Sequence, residues 1–270
     1  MAPLKPVPGT PVPLLEADPD LGGDLAADRL VAARTRLVVP TLRLQAGEVD
    51  LDEHFDDPST QLGVLLVDGL LTREIVIAAT RCAELLGVGD FLMPWGQLGE
   101  GAPVPTHVEW HVLEPTTLAV LDQRFAAAAA VYPEVMAALL RRAVGRAQTL
   151  AVSLAISCIT GLKMRLTAFL WHLADRYGRV GPRGVSVPVP LTHQTIGRLV
   201  GATRPSVSTA LKELENEGLI GKRQGGGFIL FGEPPELAPA VADRRQAIRA
   251  AGRTVSAPLA VVGDPRSRTG

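Results

Sequence analysis

Between Val187 and Phe231 the chain reads VPVPLTHQTIGRLVGATRPSVSTALKELENEGLIGKRQGGGFILF. No other stretch restricts its own folding as tightly. From about Leu191 to Val200 the spacing predicts a helix, with Thr192 as its cap and Ile196, Leu199 and Val200 on one apolar face. Gly197 lets a second helix cross closely, and Gly201 permits the left-handed turn that a short inter-helix link commonly requires. The second helix begins at once. Thr203 is its N-cap, and Pro205 sits in a first turn where an amide has no intrahelical acceptor. Val207, Ala210, Leu211 and Leu214 face inward, which leaves Arg204, Ser206, Ser208, Thr209 and Lys212 outside. Beyond Gly218, Leu219 to Arg223 and Phe228 to Phe231 flank Gln224 and three glycines, the pattern of a short hairpin carrying Lys222 and Arg223. Two helices followed by a basic ribbon make a winged helix-turn-helix.

Such a unit reads DNA by placing its second helix in the major groove, where first-turn residues reach base edges and nearby cations hold phosphates. Arg204 can offer its fork to guanine O6 and N7, while Ser206, Ser208 and Thr209 are short donors or acceptors for bases or phosphates. Thr192, Thr203 and Lys212 stand beside them, and Lys222 and Arg223 of the wing are placed for phosphate. The plainer reading is a helical hairpin packed into a larger core with its polar residues merely solvated. That reading gives no reason for a glycine-tipped basic ribbon behind the second helix.

Charge supports the division. Residues 1–131 carry 8 Lys+Arg against 19 Asp+Glu, residues 132–231 carry 13 against 5, and the tail from 232 carries 6 against 4. An acidic front and a basic back suit a chain whose back meets a polyanion. The length of 270 residues accommodates two domains of ordinary size. The apolar runs are too short to span a membrane and the N-terminus lacks the features of a signal peptide, so a cytoplasmic location is expected. Two cysteines, Cys82 and Cys158, exclude a disulfide framework and a four-thiolate metal site, and both read as small buried residues. No metal site is expected. No nucleophile-base-acid set is present either, so the chain does not read as an enzyme.

Ahead of the winged unit the texture changes twice. Residues 1–22, rich in Pro and Gly, read as a disordered leader. A short helix is expected from Leu25 to Ala33. Strands are then expected at Leu37 to Leu44, Leu62 to Val67, Leu70 to Ala78, Ala83 to Leu86, Val108 to Leu113 and Thr117 to Leu121. Many short strands separated by turn residues predict a β-barrel or jelly roll over residues 23–131. From Tyr132 the period becomes helical, and Met136, Leu140, Ala143, Ala147, Leu150 and Leu154 form a heptad seam over 132–157. A seam of that kind pairs with its own copy, or lies on its own barrel; Leu139, Val144 and Ala151 broaden the stripe enough for both contacts. A second helix, Ile159 to Tyr177, supports the winged unit in a domain of residues 158–232. Its Trp171 and His172 read as core. Arg179 to Gly184 reads as a loop, and residues 233–270 as a flexible tail with a brief helix from Ala240 to Ala251. The fold class is therefore α+β.

The order of barrel strands, long helix, second helix and winged helix-turn-helix resembles the Crp/Fnr family of bacterial transcription regulators over roughly residues 35–231. LTHQTIGRLVGATRPSVSTALKELENEGLI is similar to the family's DNA-reading motif, which implies a guanine contact for Arg204. Cyclic-AMP-binding members commonly follow that arginine with Glu and, further on, a second Arg. Here Pro205 and Thr209 occupy those places, which leaves the operator open. LGVLLVDGLL and LGVGDFLMPW resemble the strands of a cyclic-nucleotide-binding barrel. The family's phosphate cradle needs a Gly-Glu and then an Arg, because a buried phosphate without a cation is costly. Met93-Pro94-Trp95 and Thr106-His107-Val108 stand there instead, and Gly96 to Pro105 holds no basic residue. Cyclic AMP is therefore not expected to bind in the usual way. An unidentified small-molecule effector stays open, with Trp95 and Trp110 as a candidate pocket lining. Iron–sulfur sensing fails on cysteine count, and His54, His107 and His111 give no context for heme. Double-stranded DNA, a second copy of the chain and RNA polymerase are the expected partners, with no membrane. The other reading is a winged-helix interaction or scaffold module without specific DNA binding.

Overall fold

The computed structural model describes residues 4–51, 61–93 and 104–235. Its N-terminal half is one antiparallel sheet built on two long bent strands, β4 (Gln61–Ile77) and β7 (His107–Asp122). The sequence pattern predicts each as two strands with a turn between them. Asp68-Gly69 carries the turn signal, but the chain continues, because Gly69 at φ +93° lies against Pro115 and Thr116 of β7. A Cβ on Gly69 would lie 2.5 Å from the Pro115 carbonyl oxygen. Pro115 donates no ladder hydrogen bond, so the paired strands shift register at this point and bend together as a bulge.

The bend divides the sheet into two halves. On one side β1 (Val7–Pro13), β2 (Val38–Leu44), the second half of β7, the first half of β4 and β6 (Phe91–Leu92) pair in that order. On the other, β3 (Gly47–Val49), the first half of β7, the second half of β4 and β5 (Thr80–Gly87) do so. The halves enclose a core of Leu44, Val49, Leu51, Val64, Leu66, Leu71, Leu86, Leu92, Trp110, Val112, Leu118 and Val120. Among the described residues the strands form an open path rather than a closed ring, and the bend supplies the roll.

The outer faces of the two halves carry the rest of the molecule. On the first, Val39, Leu65, Ala119 and Leu121 pack with α1 (Leu14–Ala17), with α2 (Ala27–Arg36) through its buried Ala33, with α3 (Gln123–Ala129), and with the start of α4 (Pro133–Ser157). The leader therefore corrects the expectation of disorder from Leu4 onward. Pro8, Pro11 and Pro13 stand on an edge strand, where a missing N–H costs no ladder bond, while Leu14, Leu15 and Leu21 are plugged into the core. Arg142 of α4 holds both oxygens of the buried Asp18 at 3.0 Å. On the second outer face, Leu70, Ala83, Leu85 and Leu113 share one core with α5 (Leu162–Tyr177), α6 (His193–Val200), α7 (Arg204–Asn216) and their sheet. That sheet runs β10 (Ile220–Lys222), β11 (Phe228–Leu230), β9 (Gly184–Val187) and β8 (Arg179–Gly181), so Arg179 to Gly184 is a hairpin rather than a plain loop.

Three single residues also differ from expectation. Cys82 and Cys158 are both exposed, the first on the edge strand β5 and the second at the C-cap of α4. Trp110 is only 2% exposed and fills the roll. The expected helix at Ala240 to Ala251, His54 and Trp95 lie outside the described residues.

Candidate nucleic-acid interface

The local chemistry of residues 187–231 explains how the DNA-reading side chains are held. The Thr192 side chain accepts from the Thr195 amide at 3.0 Å and starts α6 two residues later than the apolar pattern alone suggests. At its other end Gly201 has φ +66° and ψ +47°, and the Ala202 amide returns to the Gly197 carbonyl at 2.8 Å. Gly197 is where the inter-helix turn folds back onto α6, because a Cβ there would lie 2.5 Å from the Ala202 carbonyl oxygen. Thr203 caps α7 through the Ser206 amide, and their hydroxyls meet at 2.9 Å. Val207, Ala210, Leu211 and Leu214 are buried, so the first turn and outer face of α7 are presented to solvent.

Arg204, Ser206, Thr209 and Lys212 lie on that exposed face. Ser208 is half-buried and already engaged: its hydroxyl donates to the Arg204 carbonyl at 3.0 Å and meets His193 Nδ1 at 2.8 Å. Thr209 likewise donates to the Pro205 carbonyl at 3.2 Å. In the wing, Lys222 is highly exposed, with Nζ 3.7 Å from a Glu215 carboxylate oxygen. Arg223 donates to the Gly226 carbonyl at 3.1 Å and braces the hairpin tip, where Gly225, Gly226 and Gly227 all have positive φ. The wing arginine is therefore partly committed to its own turn, while the exposed Lys222 lies loosely beside Glu215.

Sequence spacing does not single out three side chains that matter here. Arg165 of α5 donates to the Ile159 carbonyl through Nε and Nη2, and to the Val200 carbonyl at 3.0 Å. It ties the link after α4 to the C-terminal end of α6, where orphan carbonyls need donors. His193 stands at the start of α6 with its other ring nitrogen left over by that Ser208 contact. Arg198, also on α6, reaches Glu74 in β4. A polar residue on an amphipathic helix carries no sequence mark of which distant group it meets.

The heptad side chains divide between two surfaces. Leu140 and Leu154 are 65% and 67% exposed, and Val144, Ala147, Leu150 and Ala151 are exposed with them. Met136 instead packs on the first outer core, Ala143 is half-buried, and Leu139 is buried. The free stripe thus runs Leu140, Val144, Ala147, Ala151 and Leu154, one face round from the seam that starts at Met136. Its spacing alternates four and three residues.

A winged helix-turn-helix docked on a rolled sheet and joined to it by a long helix with a free apolar stripe defines a class by architecture: a helix-turn-helix unit with an attached rolled-sheet domain. Residues 164–239 match the model of the Crp-like helix-turn-helix domain. None of the curated proteins matches the chain. Among solved structures, the fold is similar to a mutant of CooA from Carboxydothermus hydrogenoformans, with TM-score 0.56 and 16% identity over 70% of this chain and 82% of that one. FixK2 from Bradyrhizobium japonicum gives TM-score 0.56 and 18% identity over 73% and 94%. A CRP-family transcriptional regulator from Thermus thermophilus gives 0.50 and 20% over 76% and 96%. The chain shares its overall fold with these proteins, and residues 164–239 match the Crp-like helix-turn-helix domain.

No helix among the described residues is long and apolar enough to cross a membrane. Among the same residues no group of His, Cys, Asp and Glu could hold a metal ion.

Proposed function

We propose that the protein is a cytoplasmic, homodimeric transcription regulator that binds a roughly palindromic DNA site and is not controlled by cyclic AMP. The observation that carries this reading is the exposed first turn of α7, with Arg204 at its tip and Lys222 on the adjoining wing. Arg204 would read a base. Ser206, Thr209 and Lys212 would assist on bases or phosphates, with Thr192, Thr203 and Lys222 on the backbone. Ser208 would act through its bonds to His193 and the α7 backbone, and Arg223 by shaping the wing. Two copies joined along the Leu140 to Leu154 stripe would set two recognition helices in successive major grooves, about one helical turn apart.

Independence from cyclic AMP is supported by the sequence where the phosphate cradle should be, which supplies neither the Gly-Glu nor the Arg. Trp110, buried in the roll, acts as core rather than as a pocket wall. RNA polymerase is the downstream partner expected of such a regulator. The relatives in fold are regulators rather than enzymes, which fits the lack of a catalytic set in the sequence.

The test is selection of duplexes from a random pool, followed by anisotropy titrations at several salt concentrations. Arg204→Ala should weaken the selected site by about 1–3 kcal/mol and relax preference at one base per half-site. Salt-insensitive or undetectable DNA binding by the intact chain would favour the scaffold reading instead.

A further inference from the structure

The sheet face that receives α6 mixes apolar side chains with a buried polar cluster. Leu70, Ala83, Leu85 and Leu113 belong to the same core as the winged unit, and among them stands Glu74 with its side chain 2% exposed. The Arg198 guanidinium of α6 forms an ion pair with Glu74 Oε1. Around the same carboxylate, Arg81 Nη1 lies 3.7 Å from Oε2 and His111 Nδ1 3.8 Å from Oε1, while Glu109 engages Arg81 from the neighbouring strand. Neither Glu74 Oε2 nor His111 Nδ1 has a hydrogen-bond partner among the described residues.

A second contact repeats the chemistry. Arg176, at the end of α5, meets Asp90 Oδ2 at 2.9 Å and donates to the Val88 carbonyl at 2.9 Å. Asp90 is buried, and it also accepts from the Gly87 amide at 2.8 Å. The next residue, Tyr177, seats on Gly87 so closely that a Cβ there would lie 2.5 Å from the phenol oxygen. Both arginines lie within residues 164–239, whereas Glu74 lies in β4 and Asp90 in the turn between β5 and β6. The covalent link between the two parts contains Gly161 at φ +87°, with nothing within 4 Å of where a Cβ would be. Gly161 itself is unpacked, while Ile159 just before it packs on the winged unit's core and accepts from Arg165, so the freedom of the link lies at Gly161.

We propose that Arg198–Glu74, seconded by Arg176–Asp90, is a latch through which the rolled sheet governs the DNA-binding unit. Engaged, it fixes the orientation of α7 relative to α4; released, it lets the unit swing on the Gly161 link. A buried ion pair adds little net stability, because desolvation offsets the attraction, yet breaking one partner away leaves an uncompensated buried charge. Such a contact tolerates little displacement of β4 and so behaves as nearly all-or-none. The unsatisfied Oε2 makes the engaged state one that a modest shift of the sheet can undo. A unit free to swing must be ordered again on both half-sites, so release weakens operator binding.

The proposal rests on the DNA-binding reading above, and its test separates the two. Full-length Glu74→Gln, Arg198→Gln and the charge-swapped pair Glu74→Arg/Arg198→Glu are compared with the parent chain by amide hydrogen exchange and by affinity for a duplex selected with the parent. The single variants should speed exchange across β5 and α6 while leaving the inner amides of α7 unchanged, and should weaken the duplex by about tenfold. The swapped pair should recover part of both effects. Should Glu74→Gln destabilise the sheet itself, Arg198→Gln leaves the sheet residues untouched and carries the same readouts. Unchanged exchange in Arg198→Gln means that there is no latch. Faster exchange with unchanged or tighter DNA binding overturns the control. If the parent binds no duplex, the DNA-binding reading fails and the control by the latch fails with it, while exchange still decides whether the pair holds the two parts together.

Discussion

The stripe on α4 gives the most quantitative test of the dimer. Leu140 is 65% exposed, and in a two-fold pair each copy would cover it. Burying a whole leucine contributes about 1.5–3 kcal/mol, so two-thirds of one is worth about 1–2, of which an alanine retains a minority. Leu140→Ala should therefore remove roughly 1–1.5 kcal/mol per copy and about 2–3 per dimer. At 1.4 kcal/mol per decade that is a dimer dissociation constant raised roughly thirty- to a hundredfold. Alanine is a better helix former than leucine, so α4 itself is not weakened. Sedimentation velocity over a dilution series measures the constant directly. Val31 of α2 supplies the control, being 67% exposed but far from the stripe in sequence, so Val31→Ala should leave the constant unchanged. Equal behaviour of the two variants, or a parent chain that is monomeric at tens of micromolar, would refute the assignment of this stripe as the dimer contact.

Four further outcomes follow from the geometry. Lys222→Ala should weaken all duplexes alike and lower the salt slope by about one, whereas Arg204→Ala changes preference among sequences; titrations in graded salt distinguish them. Gly197→Ala should cost about 1–3 kcal/mol in urea unfolding, because the new methyl meets the Ala202 carbonyl oxygen at 2.5 Å. Gly201→Ala meets no atom and should cost only the left-handed conformation, about 1–2 kcal/mol. Burial pushes the His172 imidazole below its ordinary value, so protonation favours the unfolded chain. Stability should accordingly fall as pH drops below about 6.5, and thermal melts of His172→Gln should show a shallower decline between about pH 7.5 and 5.

What the sequence reveals depends on how local the determining physics is. Thr192, Gly197, Gly201 and Thr203 act within one turn of their own positions, and the helix-turn-helix can be drawn from them almost residue by residue. Asp68-Gly69 misleads because the same two residues serve a turn or a bulge, and the choice is made by Pro115 and Thr116, far along the chain on β7. Residues 7–22 mislead for a related reason. Proline and glycine mark disorder when the chain has nothing to rest on, but here Leu14, Leu15 and Leu21 find a core formed by elements that come later. The α4 stripe is displaced because apolar spacing cannot say which of two adjoining faces the barrel will claim; Leu139 and Met136 go to the barrel, and Leu140 is left outside. Arg198, Arg176 and Arg165 are invisible as contacts, since each meets an acceptor from another element.

These arginines also change the meaning of the charge segregation. A net of about −11 in front and +8 behind first suggests a front that merely stays away from DNA. In the fold much of that separation is consumed internally. Asp24, Asp18, Glu84, Asp90 and Glu74 of the front pair with Arg141, Arg142, Arg146, Arg176 and Arg198 of the back. Arg165 is spent on backbone carbonyls, and Lys163 on Glu217. Among the described cations of the back other than Arg165, those with no carboxylate partner then remain at Arg179 and Arg183 of the β8–β9 hairpin, Arg204 and Lys212 of α7, and Arg223 of the wing. All of them belong to the winged unit. The acidic half thus serves chiefly to fasten α4, α5 and α6 in place. By neutralising the basic residues that face inward, it leaves the positive field concentrated where a DNA backbone would run. On this account, removing a fastening carboxylate such as Glu84 would disturb the docking of α4 before it altered the charge that DNA meets, and the two effects would be separable by their salt dependence.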